Sequence, residues 1–155
     1  MIFVTVGGIR AFERLVIAMD RIAGELDEEV VMQIGLTGYE PENCKFFKFM
    51  AADEMEELYG RARVVVCHAG IGTILTAMQH NKPLILVPRM KKYGEHIDDH
   101  QLEIAAEMEG RGAIVIYDIN ILKAAVESVN IPPVKFETET ALVRRLKEYL
   151  DGIKK

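Results

Sequence analysis

Residues 64–78 read VVVCHAGIGTILTAM, and the change of character partway along them decides the fold. Val64 to Cys67 is an unbroken apolar run rich in β-branched residues, the composition of a strand buried on both faces. His68, Ala69, Gly70, Ile71, Gly72 and Thr73 stand where that strand must end, and an apolar pattern of helical period resumes after them. Two glycines and a hydroxyl add little packing at a strand-to-helix turn. They suit a backbone that something else must approach closely.

The same alternation continues in both directions. Upstream, IFVTV (2–6) reads as a strand, and AFERLVIAMDRIAGEL (11–26) carries Phe12, Leu15, Val16, Met19, Ile22 and Ala23 at helical spacing. VVMQIG (30–35) and KFFKFM (45–50) are two further strands separated by the turn-rich LTGYEPEN. ADEMEELYGRA (52–62) opens with acidic residues, as a helix N-terminus favours. Downstream, Asn81-Lys82-Pro83 closes a helix, LILV (84–87) is a strand stopped by Pro88, and a helix around 99–112 leads to the strand AIVIY (113–117). A helix over 119–129 and a break at Pro132-Pro133 follow. The last amphipathic helix, within 134–155, presents Leu142, Val143, Leu146, Tyr149 and Leu150. Strands alternating with helices predict an α/β fold: one doubly wound, Rossmann-like parallel sheet over 1–155, with ligands at the carboxyl ends of its strands.

Composition narrows the function classes. The chain has 155 residues, half of them hydrophobic, which suits one domain with a real core. Lys and Arg total 19 against 24 Asp and Glu, a formal charge of −5 without a basic stripe, which disfavours nucleic acid as a partner. Cys44 and Cys67 are the only cysteines, and Cys67 falls in a buried strand, so a reducing cytoplasm is expected rather than a disulfide framework. The opening MIFVTV has no basic leader, and no apolar run approaches the ~18 residues of a membrane span.

Three loops fall at the predicted carboxyl edge: Gly7-Gly8, His68 to Thr73, and Arg89 to Gln101 (RMKKYGEHIDDHQ). In the second, Gly70 and Gly72 would allow close approach or positive φ, and Thr73 would lie in the first turn of a helix, where free N–H groups favour an anion. The plain alternative is a tight turn with Thr as N-cap. Gly7-Gly8 fits neither the dinucleotide fingerprint nor the P-loop. In the third loop His96, Asp98, Asp99 and His100 offer two histidines four apart, a metal pair if the segment is helical, against simple solvation or contacts to a polar ligand. A lone His68 at a strand end reads as structural, and Met50, Met55 and Met78 read as core filler.

Together IFVTVGG, MQIG, HAGIGT, KPLILVPR and DDHQLEIA, in this order from Ile2 to about Ala106, resemble the family 28 C-terminal domain of GT-B glycosyltransferases. The likeness extends to the small donor-binding subunits of two-chain N-acetylglucosaminyltransferases acting on dolichol-linked sugars, and to paired bacterial exopolysaccharide glycosyltransferase subunits. The resemblance implies that the chain is the C-terminal, nucleotide-sugar-binding half of a GT-B enzyme. It implies that Gly70, Gly72 and Thr73 receive the donor's diphosphate, with His68 beside them and Gly7 and Gly8 facing the cleft. His100 and Gln101 would meet the sugar hydroxyls. Thr76 stands where many relatives hold the ribose with a Glu, and a hydroxyl replaces only part of that grip. The first loop reads Gly-Gly where the eukaryotic subunit typically has Gly-Thr.

The expectation is therefore a donor-binding subunit of an inverting, UDP-sugar-dependent glycosyltransferase, with UDP-N-acetylglucosamine as donor and a lipid-linked sugar as acceptor. A helix N-terminus can stabilise the leaving diphosphate without a metal, so no metal or other cofactor is expected. The general base and the acceptor site are expected on a membrane-associated partner subunit that recruits this cytoplasmic chain to the membrane face. Its rivals are a stand-alone nucleotide-sugar-binding protein and a metal-dependent hydrolase built on residues 96–100.

Overall fold

The computed structural model describes residues 1–134 and, beyond them, only Arg144 and Glu148. The helix expected over 134–155, Leu142, Leu146, Tyr149 and Leu150 included, thus lies almost wholly outside the described residues. In chain order the elements are β1 (Ile2–Thr5), α1 (Glu13–Ala23), β2 (Val30–Gln33), β3 (Lys45–Phe47), α2 (Ala52–Arg61) and β4 (Val64–Cys67). They continue with α3 (Ile71–Gln79), β5 (Leu84–Leu86), α4 (His100–Glu109), β6 (Ile114–Val115) and α5 (Leu122–Ser128).

The six strands form one parallel sheet in the order β3-β2-β1-β4-β5-β6. Successive side chains of each central strand bury into opposite layers. Ile2, Val4, Val64, Val66 and Ile85 pack with Phe12, Leu15, Met19, Leu122 and Val126 under α1 and α5. Phe3, Val65, Cys67, Leu84 and Leu86 pack with Leu58, Ile74, Met78, Ala105 and Met108 under α2, α3 and α4. Burial on both faces explains the uninterrupted apolar runs, and each fully buried Leu, Ile or Phe contributes about 1.5–3 kcal/mol.

The register positions the site. Thr5 is paired with both Gln33 and Cys67, and Cys67 with Leu86, so β1, β2, β4 and β5 end level with one another. The strand order turns between β1 and β4: after β1 the chain winds outward through β2 to β3, and after β4 it winds the other way through β5 to β6. The loops after β1 and β4 therefore diverge over opposite faces, which opens a crevice between them.

The outer elements differ from the sequence expectation. β3 and β6 have only three and two residues, and among the described residues each is paired on one side only, at an edge of the sheet. The helix over 119–129 begins as a 3₁₀ turn at Ile119–Ile121, held by Asp118 accepting from the Asn120 N–H. Met78 is buried as expected and Met55 packs beside it, but Met50 is exposed at the end of the β3 segment. Among the described residues no helix is long and apolar enough to cross a membrane.

Candidate functional site

The loops after β1, β4 and β5 meet over the crevice and line a cavity of about 870 Å³, joined by Ile104 from α4. Gly7, Gly8, His68, Gly70, Gly72, Thr73, His100 and Gln101 all line it, and Thr76 does not. Thr76 lies one turn further along α3, where its hydroxyl donates to the Gly72 carbonyl oxygen at 3.0 Å. A threonine inside a helix commonly satisfies its hydroxyl in this way.

His68 is the packed centre of the turn. It is 8% exposed, its Nδ1 lies 3.5 Å from the Thr5 carbonyl oxygen, and its ring fills the space between Gly7 and Gly70. A Cβ on Gly7 would come 2.9 Å from Cε1, in a backbone already at φ +73°, and a Cβ on Gly70 would overlap the ring outright. Burial, aided by the positive charge of Arg89, pushes the imidazole down to about 3, so it is neutral at physiological pH. Gly70 and Gly72 were open to two readings, close approach or positive φ, and neither has positive φ. Gly70 makes room for His68. A Cβ on Gly72 would meet nothing within 4 Å, so the space above it is open.

Gly70, and not Thr73, is the N-cap of α3, and among the described residues no side chain caps the helix. The N–H groups of Ile71, Gly72 and Thr73 have no partner within the helix, and the positive end of the helix dipole lies at the cavity. Thr73 lines the cavity in the first turn of α3, beside Tyr59. Tyr59 is itself packed edge-on to Phe3 at 5.0 Å and stacked on His80 at 5.7 Å.

The third loop is built differently from the metal reading. α4 starts at His100, so His96 lies in the preceding turn and the two histidines share no helix face. The Asp98 carboxylate holds this turn together, 2.9 Å from His96 Nδ1 and accepting from the His100 backbone N–H at 3.1 Å. Among the described residues no group of three or more His, Cys, Asp or Glu is arranged to hold a metal. Gln101, buried, accepts the Arg89 backbone N–H on Oε1 at 3.0 Å, and its amide nitrogen has no hydrogen-bond partner among the described residues. His100 is half exposed, 3.4 Å from Glu103.

The sequence reading missed Arg89. It follows β5 and Pro88, is 3% exposed and lines the cavity, with Cζ 4.8 Å from the centre of the Phe12 ring. Its signals in the sequence were a basic residue immediately after a buried strand and its place at the end of KPLILVPR, neither of which gave it a role. Ile9 and Ile97, 88% and 68% exposed, stand at the rim on two of the three loops.

Known proteins resemble this chain in sequence and fold. A model of the glycosyltransferase family 28 C-terminal domain matches residues 1–148. The UDP-N-acetylglucosamine transferase subunit ALG13 of Eremothecium gossypii is 32% identical over 102 residues, 65% of this chain and 48% of that protein. The protein of the same name from Candida glabrata is 26% identical over 121 residues, 74% of this chain and 59% of its own length. The chain thus spans about half the length of these curated relatives. The crystal structure of CalG4, the calicheamicin glycosyltransferase, superimposes with a TM-score of 0.63 at 19% identity, over 83% of this chain and 34% of that one. That likeness shows the fold, the doubly wound half of a GT-B glycosyltransferase.

Proposed function

Because the chain belongs to the glycosyltransferase family 28 C-terminal domain family, we propose that it is the donor-binding subunit of an inverting UDP-sugar-dependent glycosyltransferase. The donor is UDP-N-acetylglucosamine, and the sugar passes to a lipid-linked acceptor held by a membrane-associated partner subunit. The observation that carries this reading is the uncapped N-terminus of α3 at the wall of a cavity shaped by three loops. Charge develops on the leaving diphosphate as the glycosidic bond breaks, and first-turn N–H groups preorganised at that point stabilise it without reorganisation. Gly72 leaves the approach clear, Thr73 stands in the first turn of α3 at the cavity wall, and Gln101 offers an amide donor to the sugar.

His68 is buried, wedged by two glycines and held too weakly basic by burial and the Arg89 charge to take a proton readily, so it shapes the floor of the cavity and leaves the acceptor's proton to a base on the partner. The exposed Ile9 and Ile97 at the rim support a cavity that a second polypeptide covers. The same partner would bring this chain to the cytoplasmic face of a membrane.

Titration calorimetry in the presence of a chelator tests the donor assignment. UDP and UDP-N-acetylglucosamine are expected to bind without divalent metal, while the purified chain alone transfers no sugar. Binding that requires Zn²⁺ or Mn²⁺, or full transfer by the isolated chain, would overturn the reading.

A further inference from the structure

Arg89 makes an unusual set of contacts for a buried cation. Nη2 donates to two backbone carbonyl oxygens, Val6 at 2.8 Å and Arg10 at 2.7 Å, which bracket the first loop on either side of Gly7 to Ile9. Its backbone N–H holds Gln101 of the third loop. Nε is buried without a partner, and Nη1 has no acceptor among the described residues. Among the described residues no carboxylate forms an ion pair with it. Glu95, whose charge it feels, is committed to Arg14 at 2.6 Å and to the Met90 N–H at 2.9 Å. Burial lowers the guanidinium to about 10, so it keeps its proton at neutral pH.

Taking a charge out of water and leaving donors unspent is costly, and a core built for stability alone would replace Arg89 with an apolar side chain or pair it with an acid. Here the charge is tied by neutral carbonyls, which fix its position without cancelling it, at the wall of the cavity. We propose that Arg89 is a specificity-determining residue of the donor site: it locks the first loop to the third and leaves an uncancelled positive charge that selects ligands carrying a diphosphate over their neutral counterparts. The inference rests on the donor-binding reading for the identity of the ligand and on the contacts of Arg89 alone for the choice of an anion.

The test compares UDP, uridine and inorganic pyrophosphate as ligands of the full chain by calorimetry, for wild type, Arg89→Met, Arg89→Gln and Arg89→Lys, each checked for folding by circular dichroism. The expected result is a loss of at least about tenfold in UDP and pyrophosphate affinity for the Met and Gln variants, the scale of a lost charge-assisted contact, with uridine changed by no more than about twofold. Arg89→Lys, which keeps the charge and loses the two-carbonyl fork, should retain a UDP-to-uridine preference above that of Gln. Should Met fail to fold, the Gln and Lys pair carries the comparison. An unchanged UDP-to-uridine ratio in a folded neutral variant, or equal losses for both ligands, would reduce Arg89 to a structural tie and overturn the proposal. Wild type that binds pyrophosphate through Arg89 but not UDP would overturn the donor reading and leave the anion site standing. Wild type that binds neither would overturn both.

Discussion

Beyond β2, residues 36–44 run back along α1 to the start of β3, with their polar contacts supplied from within the chain. Asp20, buried on α1, accepts from the Tyr39 hydroxyl at 2.6 Å and from the Glu42 and Asn43 N–H groups at 3.0 and 2.7 Å. Glu13 takes the N–H groups of Gly38 and Tyr39, and Thr37 accepts the Phe12 N–H at the start of α1. At the carboxyl edge of the sheet, over the β1–β4 crevice, α3 begins uncapped, Gly72 faces open space, and Arg89 holds donors that nothing in the described chain accepts. Both regions bury one charge, yet only one completes its own hydrogen bonds. A self-satisfied charge fixes a loop, and an unspent one beside a cavity is poised for a ligand.

Removing Asp20 should break the first region and leave the second intact. Asp20→Ala strands a hydroxyl and two N–H groups, and is expected to cost about 3 kcal/mol in a denaturant titration. The effect has a pH signature. Burial raises the carboxyl, but the hydrogen bonds from Tyr39, Asn43 and Glu42 together outweigh it and hold the group below its ordinary 3.8. Its stabilisation is therefore full above the unfolded value and fades as pH falls through the lower folded one. Wild type and Asp20→Asn should converge in stability in that acid range and not at alkaline pH. UDP affinity of the folded variant should stay near wild type. A tenfold loss of UDP affinity with stability unchanged would show that the two regions are not separate.

Gly72→Val is the converse. No neighbour lies within 4 Å of the added Cβ, and valine is no worse than glycine in a helix, so stability should move by less than about 0.5 kcal/mol. UDP affinity is expected to fall about tenfold, equivalent to about 1.4 kcal/mol, because the branched side chain stands over the first-turn N–H groups. Undiminished affinity would remove the α3 N-terminus from the site.

The contrast also explains what could be read in advance. The central strands were legible because burial on both faces writes itself as an apolar run, and so was the His68–Thr73 turn, where Gly and Thr interrupt that run. The edge strands β3 and β6 were overestimated, since half-exposed pairing selects no such pattern. Asp20 and Arg89 were illegible because each reads as an ordinary surface charge. Their burial follows from contacts 19 to 23 and 79 to 83 residues away along the chain. The two-histidine spacing in 96–100 suggested one helix face, but α4 begins at His100, and periodicity alone does not locate a helix start.

Gln101 belongs to both kinds of region, and its replacement should have the smallest and most divided effect. Its Oε1 is spent on the Arg89 N–H, as in the self-satisfied loop, while its Nε2 is the half assigned to the donor's sugar. Gln101→Ala is expected to weaken UDP-N-acetylglucosamine binding by about 0.5–1.5 kcal/mol, the worth of one neutral hydrogen bond, and UDP binding by less. Gln101→Glu can still accept from the Arg89 N–H but cannot donate to a sugar hydroxyl, and because its charge beside Arg89 should weaken both ligands, it is read only through the ratio of UDP-sugar to UDP affinity. If the sugar contact dominates, both variants lose the preference for the sugar conjugate over UDP. Equal losses for UDP and its sugar conjugate in both variants would move Gln101 to the nucleotide end of the cavity. The division drawn between loop-holding and ligand-facing groups would then need to pass elsewhere than through the middle of one amide.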